Sequence, residues 1–316
     1  MFDIKNEAYF ASDLQYDVED ADREVEIKIT INTGRARSVA RTKVARQDAV
    51  HVHADKLFRS IDRGARSVEK LEAEYEYDDM KVKFVGHEPL GADDLSVLLG
   101  LNALAQAQRD NTLVANPESE REREVRRRLE LEHSAECDET LTVDASFSEL
   151  AREIGYSGSR NTRLIRQSIE RLCSVTIFYE KAGKRETSKL IADYSSNEKS
   201  GGLYVALNPR IARAICGNNG SQYIKYNMNE VRALKNHTAK LIHYRLCGVV
   251  NVNCTLDLTL ERLQSYAWPI QSSVKNTNKA RRRATKLALE YIHEKANWKI
   301  EQMSSGKYMI TRPKLK

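Results

Sequence analysis

The chain has 316 residues, 41% of them hydrophobic and 30% charged, with a formal net charge of +6. That supply of apolar side chains excludes a disordered chain, and the length asks for two packed domains. The sequence has no run near ~18 apolar residues and no apolar stretch at its start, so neither a helical membrane span nor a secretory leader is expected, and a cytoplasmic protein is.

Residues 1–53 read as a charge-segregated extension. Residues 1–30 hold nine Asp/Glu against Lys5, Arg23 and Lys28, whereas 35–46 hold Arg35, Arg37, Arg41, Lys43 and Arg46 and no acid. Such segregation predicts a flexible segment with at most one strand, Glu24–Ile31. Its basic part is either a DNA-contacting arm or a solvated tail. A first domain is expected over 54–205. Leu71–Tyr77 and Met80–Val85 alternate with period two around Asp78-Asp79, the pattern of a β-hairpin. A helix is predicted over Leu90–Gln108, and the Glu/Arg-rich segment 116–139 as an exposed helix or surface connection. Leu141–Asp144 then reads as a strand. Ser146 and Glu149 form a capping box that opens a short helix, Phe147–Ile154. Gly155 and Gly158 turn the chain into a second helix, Ser159–Cys173. Two strands follow, Val175–Tyr179 and Ser188–Asp193, around the basic turn Lys181–Arg185.

The order recurs in an expected second domain, 206–316. Thr142–Ser146 (TVDAS) has a counterpart in Thr255–Thr259 (TLDLT), and Leu150 matches Leu263 at the same offset of 113 residues. A short helix, Leu260–Trp268, is stopped by Pro269. A long helix, Ser273–Glu294, and a hairpin, Trp298–Gln302 with Tyr308–Thr311 around a Ser304–Gly306 turn, complete the unit. Each unit is preceded by a helix, Asp93–Gln108 and Thr238–Val250. Helix, strand, helix, turn, helix and two-stranded wing is the order of a winged helix-turn-helix, so the predicted fold class is α+β, with two tandem winged-helix domains related by duplication.

The second helix of each unit carries the charge. In the first, Ile165, Ile169 and Leu172 form one stripe, with Arg160, Arg163, Gln167 and Arg171 opposite. In the second, Ala280, Ala284, Leu287, Ala288 and Tyr291 share one side, and Lys275, Lys279, Arg282, Arg283 and Lys286 the other, with no acid from Gln271 to Lys286. Like charges on one helix face repel, and a phosphate backbone relieves the repulsion. The lysines are expected to set affinity and register, and Ser273, Asn276, Asn278 and Arg282 to face base edges. Wing tips at Lys184, Arg185 and Lys307 are expected on phosphate or the minor groove.

Residues 56–316 resemble the replication protein C family of IncQ-type plasmids. The resemblance is carried by Leu57-Phe58-Arg59, Glu88–Leu95 (EPLGADDL), Gly202–Pro209 (GLYVALNP), Asn229–Leu234 (NEVRAL), Arg245–Gly248 (RLCG) and Gly306–Pro313 (GKYMITRP). It implies a bacterial plasmid replication initiator that binds directly repeated origin sequences, called iterons, in double-stranded DNA. It also implies recruitment of a plasmid-encoded helicase and primase, and leaves room for a homodimer. Two unlike recognition helices in one chain ask for a non-palindromic site about two helical turns long.

Rival readings are a winged-helix transcriptional repressor and, more remotely, a rolling-circle nicking enzyme. The latter would use His51-Val-His53 on a metal and Tyr291 as nucleophile. The absence of a phosphate-binding Gly-rich loop argues against ATP-driven unwinding. Cys137, Cys173, Cys216, Cys247 and Cys254 contain no Cys-x-x-Cys pair and are expected as reduced core thiols. No catalytic residue, metal or cofactor is expected.

Overall fold

The computed structural model describes residues 41–62, 64–108, 112–113, 140–156, 161–197, 201–217 and 222–315. Arg160, Cys137, the strand expected at Glu24–Ile31 and the charged segment 116–139 lie outside them. The elements in chain order begin with β1 (Val44–Asp48), α1 (Ala49–His53), β2 (Leu71–Tyr77), β3 (Met80–Gly86) and α2 (Ala92–Ala107). Next come β4 (Thr112–Leu113), β5 (Thr140–Ser146), α3 (Phe147–Glu153), α4 (Asn161–Cys173), β6 (Thr176–Lys181), β7 (Lys184–Lys189), β8 (Ile191–Asn197) and β9 (Gly202–Leu207). The chain continues through α5 (Pro209–Cys216), β10 (Tyr223–Asn227), α6 (Met228–Ala233) and α7 (His237–Val249). It ends with β11 (Thr255–Leu258), α8 (Leu260–Ser265), α9 (Lys275–Ala296), β12 (Lys299–Gln302) and β13 (Tyr308–Thr311).

β1 and α1 lie ahead of the boundary expected at 53/54 and are packed structure, not extension. β1 pairs antiparallel with β10, Val44 opposite Asn227 and Asp48 opposite Tyr223. Asp48 caps α1 by accepting the Val50 N–H at 2.7 Å. Ala45, Val50 and Val52 are buried, and so are Gln47, Asp48 and His51. A hydropathy pattern marks those polar residues as surface. Here they are admitted because each has a polar partner: Gln47 accepts from Asn102 and meets His51 Nδ1 at 3.3 Å, and Asp48 faces Arg210 at 3.4 Å. α1 lies close on α7, where a Cβ on Gly248 would stand 2.6 Å from Val52 Cγ1. The boundary expected at 205/206 also shifts, since Val205 to Leu207 are one strand, paired with β8.

The β2–β3 hairpin forms where the alternation predicts it, its two-residue turn taken by Asp78 and Asp79 at positive φ. β6 and β7 form a second hairpin across Ala182-Gly183, but β6 pairs with β3, giving a sheet ordered β2-β3-β6-β7. The hairpin expected as the first wing is therefore built into another sheet. The strand preceding α3 instead belongs to a sheet ordered β4-β5-β9-β8. A further sheet, besides the β1–β10 pair, is ordered β11-β13-β12.

Two stretches of the chain present elements in a comparable order. A helix (α2, α7) is followed by a strand (β5, β11), a short helix (α3, α8), a longer helix (α4, α9) and a hairpin (β8–β9, β12–β13). In each, the first strand pairs with the last of the hairpin. The local chemistry repeats as well. Ser146 accepts from the Glu149 N–H at 3.1 Å and Thr259 from the Arg262 N–H at 3.2 Å, capping α3 and α8. Leu150 and Leu263 are both fully buried behind those caps. In the first stretch β4 also follows the leading helix, and β6 and β7 lie between α4 and the hairpin.

Polar groups buried between elements tie the units together. Arg232 on α6 donates to Glu153 at the end of α3 at 2.8 Å, to the Thr42 carbonyl at 2.8 Å and to Asn229 Oδ1 at 2.8 Å. Glu230, also on α6, accepts from Trp298 Nε1 at 3.0 Å and faces His243 Nε2 of α7 at 2.8 Å. Burial pushes the His243 imidazole down, but the Cys247 sulfur and Glu230 overcome it and raise its pKa to about 10. Burial likewise pushes Glu230 up, but hydrogen bonding and charge from His243 outweigh it and hold the carboxyl below its ordinary value. The pair is thus ionised across neutral pH.

Two stability outcomes follow. The His243 contribution is complete below its unfolded pKa of about 6.5 and is lost as pH rises toward about 10. The Glu230 contribution is present above the ordinary carboxylate pKa of about 4.3 and is lost as pH falls below it. Urea titrations should find stability declining steadily from about pH 6.5 to 10. Glu230→Ala should lower it by about 3–5 kcal/mol at pH 7, because a buried cation loses its partner.

Candidate nucleic-acid interface

α9 is the longest helix among the described residues. It rests on α6, α7 and α8 through Thr285, Ala288, Leu289, Ile292 and Ala296. This buried stripe is rotated from the one expected. Ala280 and Leu287 are exposed, Leu287 at 54%, and Ala284 and Tyr291 are half-buried. Thr285 sets the phase: its hydroxyl donates to the Arg281 carbonyl at 2.9 Å, so a residue that pattern reading places outside enters the core satisfied.

The structure brings most of the expected basic residues of α9 together on one exposed side. Lys275, Lys279, Arg282, Arg283 and Lys286 are all solvent-exposed, as are Ser273 and Asn276 at the helix start. Arg282 meets Glu261 of α8 at 3.0 Å, both side chains being more than half exposed. Such a pair is worth about 0–1 kcal/mol and exchanges readily for a phosphate. Lys275, Lys279, Arg283 and Lys286 make no ion pair among the described residues. The N-cap Val274 offers no side-chain acceptor and the first turn has no acid. The positive end of the helix dipole therefore has no acidic side chain of its own first turn against it.

Two residues of this helix do other work. Asn278, expected at base edges, folds back and donates to the Ser272 carbonyl at 2.7 Å. Arg281 stacks on Trp268, donates to the Ile270 carbonyl at 2.9 Å and approaches Asp62 at 3.7 Å, bracing the turn before α9. The aromatic at 268, just ahead of the basic run, is the sequence signal for that brace.

The first unit is less basic than expected. Ile165, Ile169 and Leu172 are buried as predicted, with Ser168 among them. Arg163 is exposed and Gln167 half-buried on the outer side of α4. Arg171 is not available: it grips the fully buried Asp94 carboxylate at 2.9 Å, which also holds Arg66 at 3.0 Å and caps α2 through the Gly91 N–H at 2.7 Å. Sequence periodicity places Arg171 near the solvent side, but Asp94 from α2 reaches it. Lys184 and Arg185 are exposed at the β6–β7 turn, Arg185 with Glu180 at 3.2 Å, so they sit on the hairpin that pairs with β3. Lys307 is exposed at the β12–β13 turn, as expected.

His51 is fully buried on α1, its Nε2 3.5 Å from the Tyr179 hydroxyl, and burial lowers its pKa to about 4. His53 stacks on Tyr77 instead of facing the same way. The Tyr291 hydroxyl donates to the Ala233 carbonyl at 3.3 Å. The three side chains of the nicking-enzyme reading thus do not converge. Of the described cysteines Cys247 is buried, Cys173 and Cys216 are half-buried and Cys254 is exposed, so Cys254 departs from the expected core thiol. No helix among the described residues is long and apolar enough to cross a membrane.

The family described as Replication protein C (RepC) matches residues 40–314. No curated protein matches significantly. Two crystal structures of domains 2 and 3 of RctB are similar in fold. One, of selenomethionine derivatives, has a TM-score of 0.53 at 10% identity over 83% of this chain and 96% of that one. The other has a TM-score of 0.52 at 10% identity over 82% and 95%.

Arg171→Ala separates a brace from a DNA-binding group. It should lower stability by about 1–3 kcal/mol in chemical denaturation, by leaving part of a buried carboxylate unpaired. It should leave the salt dependence of DNA binding unchanged. A lowered salt slope at unchanged stability would return Arg171 to the interface.

Proposed function

The chain belongs to the replication protein C family, and from that premise we propose that it is a plasmid replication initiator that grips directly repeated duplex sequences of an origin with two winged-helix units, inserting α4 and α9 into successive major grooves. The single observation that carries this reading is the row of cations on α9, Lys275, Lys279, Arg283 and Lys286, without an acid partner among the described residues. A free protein surface gains nothing from them. A duplex gains by releasing condensed counterions.

The twice-repeated order of elements, with matching sheet order and matching caps, supports the duplication. By that equivalence the first wing is β8–β9, not β6–β7. The longer helices of the two units present different side chains along most of their length, which favours a directly repeated site over a palindrome. Arg163 and Gln167 on α4 supply the first contacts, the cations of α9 the second, and Lys307 a phosphate contact from the wing. The chain has no catalytic role in this reading: it marks the origin, helps open it, and positions the plasmid's helicase and primase.

Replacing Lys279, Arg282 and Lys286 with Ala should weaken binding to origin duplex by at least tenfold near physiological salt. It should also reduce the slope of log affinity against log salt by about one for each phosphate no longer neutralised. Gel-shift titrations across salt concentrations measure both. Unchanged affinity and slope would end the proposal.

A further inference from the structure

The buried stripe of α9 fixes which residues point furthest from the core. At 100° per residue, the line opposite Thr285, Ala288, Leu289 and Ile292 runs through Asn276, Ala280, Arg283 and Leu287 and then reaches the acids Glu290 and Glu294. All six are exposed. On one flank lie Lys275, Lys279, Arg282 and Lys286, and on the other the half-buried Thr277, Ala284 and Tyr291. The cations are therefore mainly lateral, and the leading edge as far as Leu287 is a mixed row of two hydrogen-bonding and two apolar side chains, ending where the acids Glu290 and Glu294 would repel a phosphate.

That geometry divides the labour of the helix. A helix in a major groove sets its flanks against phosphates and its leading edge against bases. We infer that Asn276, Ala280, Arg283 and Leu287 are the base-reading residues of the second unit, and that Ala280 and Leu287 read the C5-methyl groups of thymines. This rests on the DNA-binding reading above and deepens it. An apolar side chain has one distinctive partner in the major groove, the thymine methyl, while Asn suits adenine and Arg suits guanine. Leu287 stands 54% exposed beside Lys286, a position that costs free energy in water and gains against a methyl group. The lysines alongside supply the charge that brings a duplex, not an apolar protein surface, to this edge. Asn276 to Leu287 spans roughly 16 Å, enough for about five base pairs. Laying the buried stripe of α4 (Ile165, Ser168, Ile169, Leu172) over Thr285, Ala288, Leu289 and Ile292 sets Arg163 where Arg283 stands and Gln167 where Leu287 stands. The two units thus share one reading group and differ in another at equivalent positions.

The test uses the full chain. A high-affinity duplex is enriched from a random library, and each thymine in it is then replaced by uracil, which removes only the methyl group. At one or more positions uracil should weaken the unmodified protein by about fourfold, the worth of one buried methyl or methylene. At those positions it should have little further effect on Ala280→Ser or Leu287→Ala, each confirmed folded by its thermal melt. Asn276→Ala should change the base enriched at a neighbouring position while keeping the salt slope. Additive effects of uracil and both variants at every position would overturn the inference while leaving DNA binding standing. So would Leu287→Ala abolishing self-association in sedimentation with DNA affinity intact. Absence of any enrichment, with binding insensitive to salt, would overturn the DNA-binding reading itself.

Discussion

Cations crowded along one side of a helix repel one another by a few tenths of a kcal/mol per adjacent pair, and α9 withstands this only because its other side is locked. Leu289 and Ile292 are buried almost completely, each stabilising the docked helix by about 1.5–3 kcal/mol. Both ends are braced, by Arg281 on the Ile270 carbonyl and by His293 at 2.8 Å from the Trp298 carbonyl. Trp298 itself is fully buried beneath the C-terminus of the helix. The helix can therefore carry unneutralised charge into solvent, with Glu261 as a replaceable partner of Arg282.

A division between arginine and lysine runs through the molecule. Buried arginines act as forks between elements. Arg232 joins α6 to α3, Arg245 joins α7 to Val52 and Asp55, and Arg312 reaches the Cys247 and Val250 carbonyls at 2.6 and 3.1 Å and the Lys225 carbonyl. A planar guanidinium satisfies several acceptors at once, which a compact ammonium does not. The exposed flank of α9 is instead mainly lysine, flexible and strongly hydrated, suited to tracking a backbone. Net charge alone says little about the partner because so much of the positive charge is internal structure.

Local signals are legible where local physics decides the outcome. The β2–β3 turn, the Ser146 cap and the buried stripe of α4 follow from turn residues, capping chemistry and periodicity. What the sequence hides depends on partners distant along the chain. The β6–β7 hairpin has the spacing of a wing, and only its pairing with β3 assigns it elsewhere. Arg171 has the spacing of an outer residue, and only Asp94, 77 residues earlier, claims it. The phase of α9 departs from its hydropathy pattern because Thr285 enters the core and Leu287 leaves it. The family resemblance is carried by motifs from residue 56 onward, whereas the family match begins at residue 40, just ahead of β1.

The pairing of β1 with β10 has a consequence in time. The two strands meet across roughly 180 residues of chain. At translation rates of about 5–20 residues per second, the partner leaves the ribosome some ten to thirty-five seconds after β1 does. Closing so long a loop adds little to the entropic cost, which grows only logarithmically with length, but the wait cannot be shortened by any local contact. Throughout it β1 lacks its partner strand, although α2, made about 45 residues after it, already offers it a surface and the Asn102 amide. The strand that comes first among the described residues is thus among the last to gain its partner strand.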